Sequence, residues 1–307
     1  MALKRKRVKV EPFEWSEFSE AQLKSIMRSN SRLNIWEGSV RSGKTIASIV
    51  RWIEYVKTGP KGDLLMIGKT ERTLKRNILD LIHSIVGSSN YHYSQGAGEL
   101  FLFGRMIYVV GANDERSENK IRGMTLAGAY GDEGTLWPSN FFKMLLTRLS
   151  VKDSKLFITT NPDSPGHWLL KDYLERKDLD MSRYSFTLDD NLSLDPKYVE
   201  SLKKEFSGVF YQRFILGKWV LAEGLIYDMF DERRHVFRGA IPKYLNPTII
   251  GIDFGTNNPT TFIEISERDD KYYVTKEYVY NGRVENKKKT VRSYSRDLKK
   301  FKEGSDT

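Results

Sequence analysis

Residues 38–45, GSVRSGKT, set two glycines, a lysine and a threonine in the order G-x-x-x-x-G-K-[ST]. Gly38 and Gly43 let the backbone curl so that successive N–H groups, those of Ser39, Val40, Arg41 and Ser42 among them, point at phosphate oxygens. Lys44 has the reach to meet β- and γ-phosphates, and Thr45 offers a hydroxyl to Mg²⁺. A second candidate is Asp132-Glu133, which follows the apolar run 126–131. A carboxylate there holds Mg²⁺ through water, and the next one polarises an attacking water as general base. An Asp-Glu pair also serves as a loop start or helix cap, but its place after a strand and downstream of the loop favours chemistry. The third candidate is Thr159-Thr160-Asn161-Pro162, the polar end of another buried run, where a γ-phosphate is sensed through Asn161. The same four residues also suit a simple turn. Further upstream, the Gln22 amide has one donor and one acceptor for an adenine edge, or is a surface glutamine on an amphipathic helix. Transferring phosphoryl groups are stabilised by arginine, in cis or from a neighbour. Arg41 inside the loop is a cis candidate; Arg148, on the helix after Asp132-Glu133, is a candidate to act on a neighbouring subunit, and Arg122 is a third; each is equally an ordinary surface or capping arginine.

These residues need elements to position them. Leu33-Asn-Ile-Trp36 reads as a short strand, and residues 45–56 repeat apolar side chains at helical spacing. The loop therefore opens a helix N-terminus, which itself favours anions. Strand and helix alternate to about residue 190, predicting a mostly parallel sheet covered on both faces. Strands are expected at 63–68, 126–131 and 155–160, with a hairpin across 100–110 turning at Gly104-Arg105. Helices are expected at 71–86, 141–149, 167–176 and 196–218. Beyond them, 247–255 reads as a buried strand ending near Asp253, with a turn at Asn257-Asn258-Pro259, a hairpin from 260–266 to 271–280, and a basic helix over 287–302.

The chain has 307 residues, long enough for more than one domain. Its formal charge is +10, from 50 Lys+Arg against 40 Asp+Glu, which fits an anionic partner or an ordinary solvated surface. The lack of cysteine excludes disulfides and thiolate metal sites. No apolar run reaches the length of a membrane span. The basic N-terminus has no apolar signal core and reads as a solvated tail.

The order Gln22, GSVRSGKT, Lys120-Ile-Arg-Gly123, Gly131-Asp-Glu133, Thr159-Thr-Asn-Pro162, residues 214–220 (FILGKWV) and residues 224–227 (GLIY) resembles the large terminase subunit of tailed bacteriophages. That resemblance implies an α/β chain: a P-loop ATPase of the additional-strand, catalytic-glutamate class with a mostly parallel sheet, followed by the beginning of an RNase H-like nuclease. The ATPase with its helical lid would occupy 1–222, a linker 223–245, and the nuclease segment 246–307. It implies ATP hydrolysis with Mg²⁺, driving double-stranded DNA into a procapsid, and cutting of concatemeric DNA. It implies a ring of copies on a portal protein, a small terminase subunit, and work in the cytoplasm of the infected bacterium, with no membrane. Asp253 would be the first ligand of a two-metal (Mg²⁺ or Mn²⁺) nuclease site; read by itself it equally starts a turn after a core strand. The later carboxylates of the family lie beyond Thr307, so no nuclease activity is expected of these residues. Lys69, Arg72, Lys75 and Arg76 are candidate DNA-phosphate contacts, or a solvated charged face. The rival class is a DNA-stimulated ATPase switch or helicase-like protein. A non-catalytic scaffold is a further alternative, and Glu133 argues against it.

Overall fold

The computed structural model describes residues 13–221, 232–237, 239, 246–255, 259–282, 285 and 289–303. The chain divides into two compact units, Met1–Tyr227 and Asp228–Thr307. The division falls inside the segment expected as a linker, 223–245, of which 223–231, 238 and 240–245 lie outside the described residues.

In the first unit α1 (Glu20–Arg28) precedes β1 (Leu33–Gly38), α2 (Lys44–Thr58) and β2 (Asp63–Gly68). The helix expected at 71–86 runs as α3 (Glu71–Leu74), a π turn (Lys75–Leu79) and α4 (Asp80–Val86). Next come β3 (Tyr91–Ser94), β4 (Glu99–Leu102), β5 (Arg105–Gly111), a 3₁₀ turn (Glu115–Lys120), β6 (Leu126–Gly131), α5 (Ser139–Arg148) and β7 (Lys155–Thr160). A π turn (Leu170–Leu174), β8 (Met181–Phe186), α6 (Pro196–Glu205) and α7 (Gly208–Phe214) complete it. One sheet takes the order β3-β4-β5-β2-β6-β7-β1-β8. It is parallel from β5 to β8, and β3-β4-β5 is an antiparallel margin.

The central strands are apolar throughout because both faces are covered. Trp36, Leu64 and Met66 pack with Trp52, Tyr55 and Ile78 on one face. Ile35, Leu65 and Ile67 pack with Trp137, Phe141, Phe142 and Leu169 on the other. Each fully buried aliphatic side chain contributes about 1.5–3 kcal/mol. Ser19 caps α1 through a reciprocal box with Gln22, and Asp195 caps α6 ahead of Pro196.

Several expectations need correction. The hairpin turns at Phe103-Gly104, one residue early, because Leu102 pairs with Arg105. Both turn residues are left-handed, at φ 51° and 76°, as a two-residue loop between twisted strands requires. The helix expected over 196–218 breaks at Phe206-Ser207, between α6 and α7. β3 and β8 add to the expected strands. Both are sheet margins, and in β8 Phe186 alone is buried, so their sequences lack a continuous apolar run.

The second unit contains α8 (Glu232–His235), then β9 (Asn246–Asp253), β10 (Thr260–Arg268) and β11 (Lys271–Tyr280) in an antiparallel sheet ordered β11-β10-β9, and α9 (Val291–Glu303). Phe262 anchors it, stacked on Tyr278 at 4.6 Å and edge-on to Phe301 of α9 at 5.9 Å. The strand leading to Asp253 is not buried as expected. It pairs with β10 along one side, and Ile249 is 61 % exposed. Asp253 itself is exposed. Residues 257 and 258 of the expected turn lie outside the described residues.

Candidate nucleotide site

β7 lies between β1 and β6, and all three run parallel. Their C-terminal ends therefore open on one edge of the sheet. The phosphate loop leaves β1, Asp132-Glu133 leaves β6, and Thr159-Thr160-Asn161 ends β7 between them. Gly38 has φ 146° and lies so close to β8 that a Cβ there would stand 2.1 Å from the Phe186 carbonyl oxygen. Gly43, left-handed at φ 79°, is the N-cap of α2. Lys44 is buried, at 7 % exposure. Its Nζ donates to the Ser39 carbonyl at 2.9 Å and to Asn161 Oδ1 at 2.7 Å. Thr159 Oγ1 donates to Asp132 Oδ1 at 2.8 Å. Val40, Arg41, Thr45 and Asn77 join these groups around a cleft of about 580 Å³.

Electrostatics set the character of the cleft. Burial pushes the Lys44 ammonium down to about 8, although Asp132 and then Glu133 pull it back up. Burial raises Asp132; hydrogen bonds from Thr159 and Asn77, and the charge of Lys44, oppose it. Burial raises Glu133 too, with Asp132 adding repulsion and Lys44 and Arg76 opposing. Two carboxylates thus face one ammonium in a poorly solvated space, an arrangement that a divalent cation relieves. Asp132 and the half-buried Thr45 hydroxyl fit such a cation. The loop fits phosphate: Ser42 Oγ is buried without a hydrogen-bond partner, and added Cβ atoms would crowd Gly38 and Gly43. Glu133 has φ 56° and Arg41 φ 59°, left-handed values that cost non-glycine residues energy and concentrate at working sites.

Lys44 gives a pH prediction. Between pH 8 and about 10 the unfolded chain retains this proton, whereas the folded chain releases it near 8. Stability should therefore rise with pH in that window, by at most about 1.4 kcal/mol per pH unit. Raised tyrosines such as Tyr55, pushed to about 12, act in the opposite sense only above about pH 10. Denaturant melts of the parent and Lys44→Met at pH 7.5, 8.5 and 9.5 should diverge as pH rises; parallel curves would show that Lys44 is not so buried.

The structure brings together Gly38, Ser39, Val40, Arg41, Ser42, Gly43, Lys44, Thr45, Asp132, Glu133 and Asn161. It gives Gln22 a structural task. Its oxygen accepts the Ser19 N–H at 2.9 Å and its nitrogen donates to the Gly43 carbonyl at 3.1 Å. Gln22 is buried, not on the surface, and ties α1 to the loop. Arg148 does not approach Glu133 within the chain. Arg32, just before β1, donates to the carbonyls of Leu146 and Leu149, and Val151 N–H bonds the Leu126 carbonyl where β6 begins. Arg148 therefore sits at the opposite edge of the sheet, about 20 Å away at the rise of a strand. Arg122 is exposed and paired with Glu118 at 3.0 Å. Asn77 and Arg213 are near the carboxylates without a motif to announce them; only their place in the fold reveals them.

Comparison with known proteins follows the same line. The family model for the terminase large subunit, T4likevirus-type, N-terminal, matches residues 35–234. No curated protein matches the chain. The large terminase from a thermophilic bacteriophage, in one crystal form, is 37% identical with a TM-score of 0.60, over 94% of this chain and 74% of that one. The same phage protein in complex with ADP is 37% identical with a TM-score of 0.62, over 93% and 74%. The large terminase ATPase domain of Thermus phage P74-26 shares the fold at 14% identity, with a TM-score of 0.52 over 68% of this chain and 95% of that domain. Among the described residues no helix is long and apolar enough to cross a membrane. With a family model matched across 35–234 and 37% identity reaching over 94% of the chain, the protein belongs to the large terminase subunit family of bacteriophages.

Proposed function

We propose that the first unit hydrolyses ATP and uses the energy to drive double-stranded DNA into a procapsid. One observation carries the reading: Lys44, Asp132, Glu133 and Asn161 converge on a single cleft from three adjoining strand ends. The binding of ADP by the thermophilic phage relative supports it. Water attacks the γ-phosphorus, its proton passes to Glu133, and the bond to the β–γ bridging oxygen breaks, leaving ADP and phosphate. A carboxylate with a raised pKa is a better proton acceptor for this step. Lys44 and the loop amides hold the phosphate charge, and Asn161 positions the Lys44 ammonium. Thr45 and Asp132 would hold Mg²⁺, which neutralises phosphate charge when bound. Family membership supports a ring of copies on a portal, a small subunit as partner, and action in the host cytoplasm. Asp253 is proposed as a nuclease metal ligand.

DNA contact is assigned to Arg72, Lys75 and Arg76, which surround an open pocket of about 440 Å³ beside Gln95 and Asp80, the latter paired with Lys75 at 2.7 Å in an exposed ion pair that phosphate can displace. Lys69 is engaged elsewhere, donating to the carbonyls of Asn113 and Leu136 at 3.0 Å each, and ties loops together. Phosphate contacts position without reading sequence, as a motor needs. Three such contacts should cost roughly 40-fold in affinity between 50 and 200 mM salt. Removing Arg72 and Lys75 together should flatten the log–log salt slope by about 2. Salt-independent binding, or preference for one short sequence, would count against the reading. Plasmid DNA incubated with the chain and Mn²⁺ should stay intact, since among the described residues no cluster of three or more acidic or histidine side chains stands ready to hold metal ions. Cleavage lost in Asp253→Ala would overturn that. ATPase assays with single- and double-stranded DNA test the motor itself: stimulation by duplex without unwinding is expected, and unwinding would favour the helicase-like alternative.

A further inference from the structure

A smaller cavity of about 140 Å³ adjoins the nucleotide cleft. Val40, Glu133 and Asn161 line both spaces. The far wall of the smaller one is Asp163 and, from α7, Arg213. Arg213 thus faces the flank of the cleft where the general base and the Lys44 partner stand. Its guanidinium approaches Asp163 at 3.7 Å, too long for a hydrogen bond, and the side chain is 21 % exposed. By contrast Arg183 holds Glu37 at 2.6 Å. A planar group with five donors is therefore loosely held in a cavity beside Glu133.

The chain pins α7 in this place. The Leu188 N–H bonds the Ile215 carbonyl at 3.0 Å, just past the helix end. Gly217 lies so close to the loop that a Cβ would stand 2.6 Å from the Ser39 nitrogen. Trp219 Nε1 donates at 2.7 Å to Glu37, the buried residue before Gly38. The segment after Arg213 is thus fastened to the strand and loop that carry the phosphate-binding amides, which fixes the helix without locking the guanidinium.

We propose that Arg213 supplies the cis positive charge of the ATPase site, leaving Asp163 to meet the oxygens of the transferring phosphoryl group. This rests on the ATPase reading above. Such charge acts where negative charge develops, so its effect falls on turnover more than on binding. Arg213→Ala should lower kcat by about 10²–10³-fold. It should leave ADP affinity within about twofold and abolish the tighter binding of ADP with aluminium fluoride, a mimic of the transition state. Arg213→Lys should recover part of both. Asp163→Asn separates a chemical role from a structural one: it breaks the same ion pair yet frees the guanidinium, so turnover should stay at or above the parental rate. Parental turnover in Arg213→Ala would overturn the proposal. So would an equal loss in Asp163→Asn and Arg213→Ala with the aluminium fluoride preference intact, which would mark the pair as structural. A parent chain inert toward ATP would overturn the ATPase reading and this proposal together; an active parent with an indifferent Arg213 overturns this proposal alone.

Discussion

Glu133→Gln is expected to cut ATP turnover by about 10²–10⁴-fold, the span of general-base catalysis, while leaving ATP affinity within about twofold. The substitution keeps size and hydrogen-bonding oxygen but cannot accept the proton of the attacking water. Glu133 is suited to that proton: it is half-buried, burial and Asp132 raise its pKa, and it is the second residue past the end of β6. Its left-handed backbone turns the chain out of the strand into a 3₁₀ turn, Gly134–Leu136. Lys44→Ala should behave differently. The ammonium is bonded to the loop and to Asn161 and serves phosphate charge in ground and transition states alike, so affinity and turnover fall together. Single-turnover hydrolysis beside equilibrium nucleotide binding separates the two variants. Parental turnover in Glu133→Gln would remove it as the base.

The part of this site that sequence reveals is the part that is spelled locally. The phosphate loop, Asp132-Glu133 and Thr159-Thr160-Asn161 each join a run buried on both faces to a polar end, and such runs are apolar whatever covers them. The same property misleads at Asp253. Residues 247–252 look like a central strand, yet Ile249 and Ile252 stand 61 % and 41 % exposed beside β10. Periodicity points to helix at 71–86 and misses the π turn, because Leu74, Ile78, Leu79 and Ile82 keep an apolar face through it. That turn places Asn77 toward Asp132. Gln22 looks free in the sequence because nothing near it shows that Gly43 will lie against it. That Arg148 lies far from its own chain's Glu133 is equally hidden, because an amphipathic helix does not declare at which edge of the sheet it ends; its role toward a neighbouring copy is a separate matter. Arg213 is invisible for a related reason: α7 is fastened beside the phosphate loop through Leu188, Gly217 and Trp219, contacts between distant segments that no local pattern spells.

Gly38→Ala is expected to destabilise the first unit by about 2–6 kcal/mol, the sum of overpacking and a strained backbone, and to abolish nucleotide binding. The added methyl would stand 2.1 Å from the Phe186 carbonyl oxygen and 2.8 Å from its carbon and nitrogen. All three atoms are backbone of β8, so no side-chain rotation relieves the clash. Yielding is costly too, since that carbonyl accepts the Ser39 N–H at 3.0 Å, the bond that starts the loop on its path. Either β8 moves away from β1 or the loop turns its amides off the phosphates. Gly43→Ala should be milder. Its methyl would meet Gln22 Nε2 at 2.6 Å, the end of a flexible side chain, and the φ of 79° adds strain of about 1–3 kcal/mol. Gly96→Ala has nothing within 4 Å and should be close to neutral. Thermal melts with ATP titrations should rank the three Gly38, Gly43, Gly96, the first losing roughly 5–20 °C. A Gly38→Ala protein that melts with the parent and binds ATP would mean that β8 does not press on the loop, and Arg213 would lose the support that places it beside Glu133.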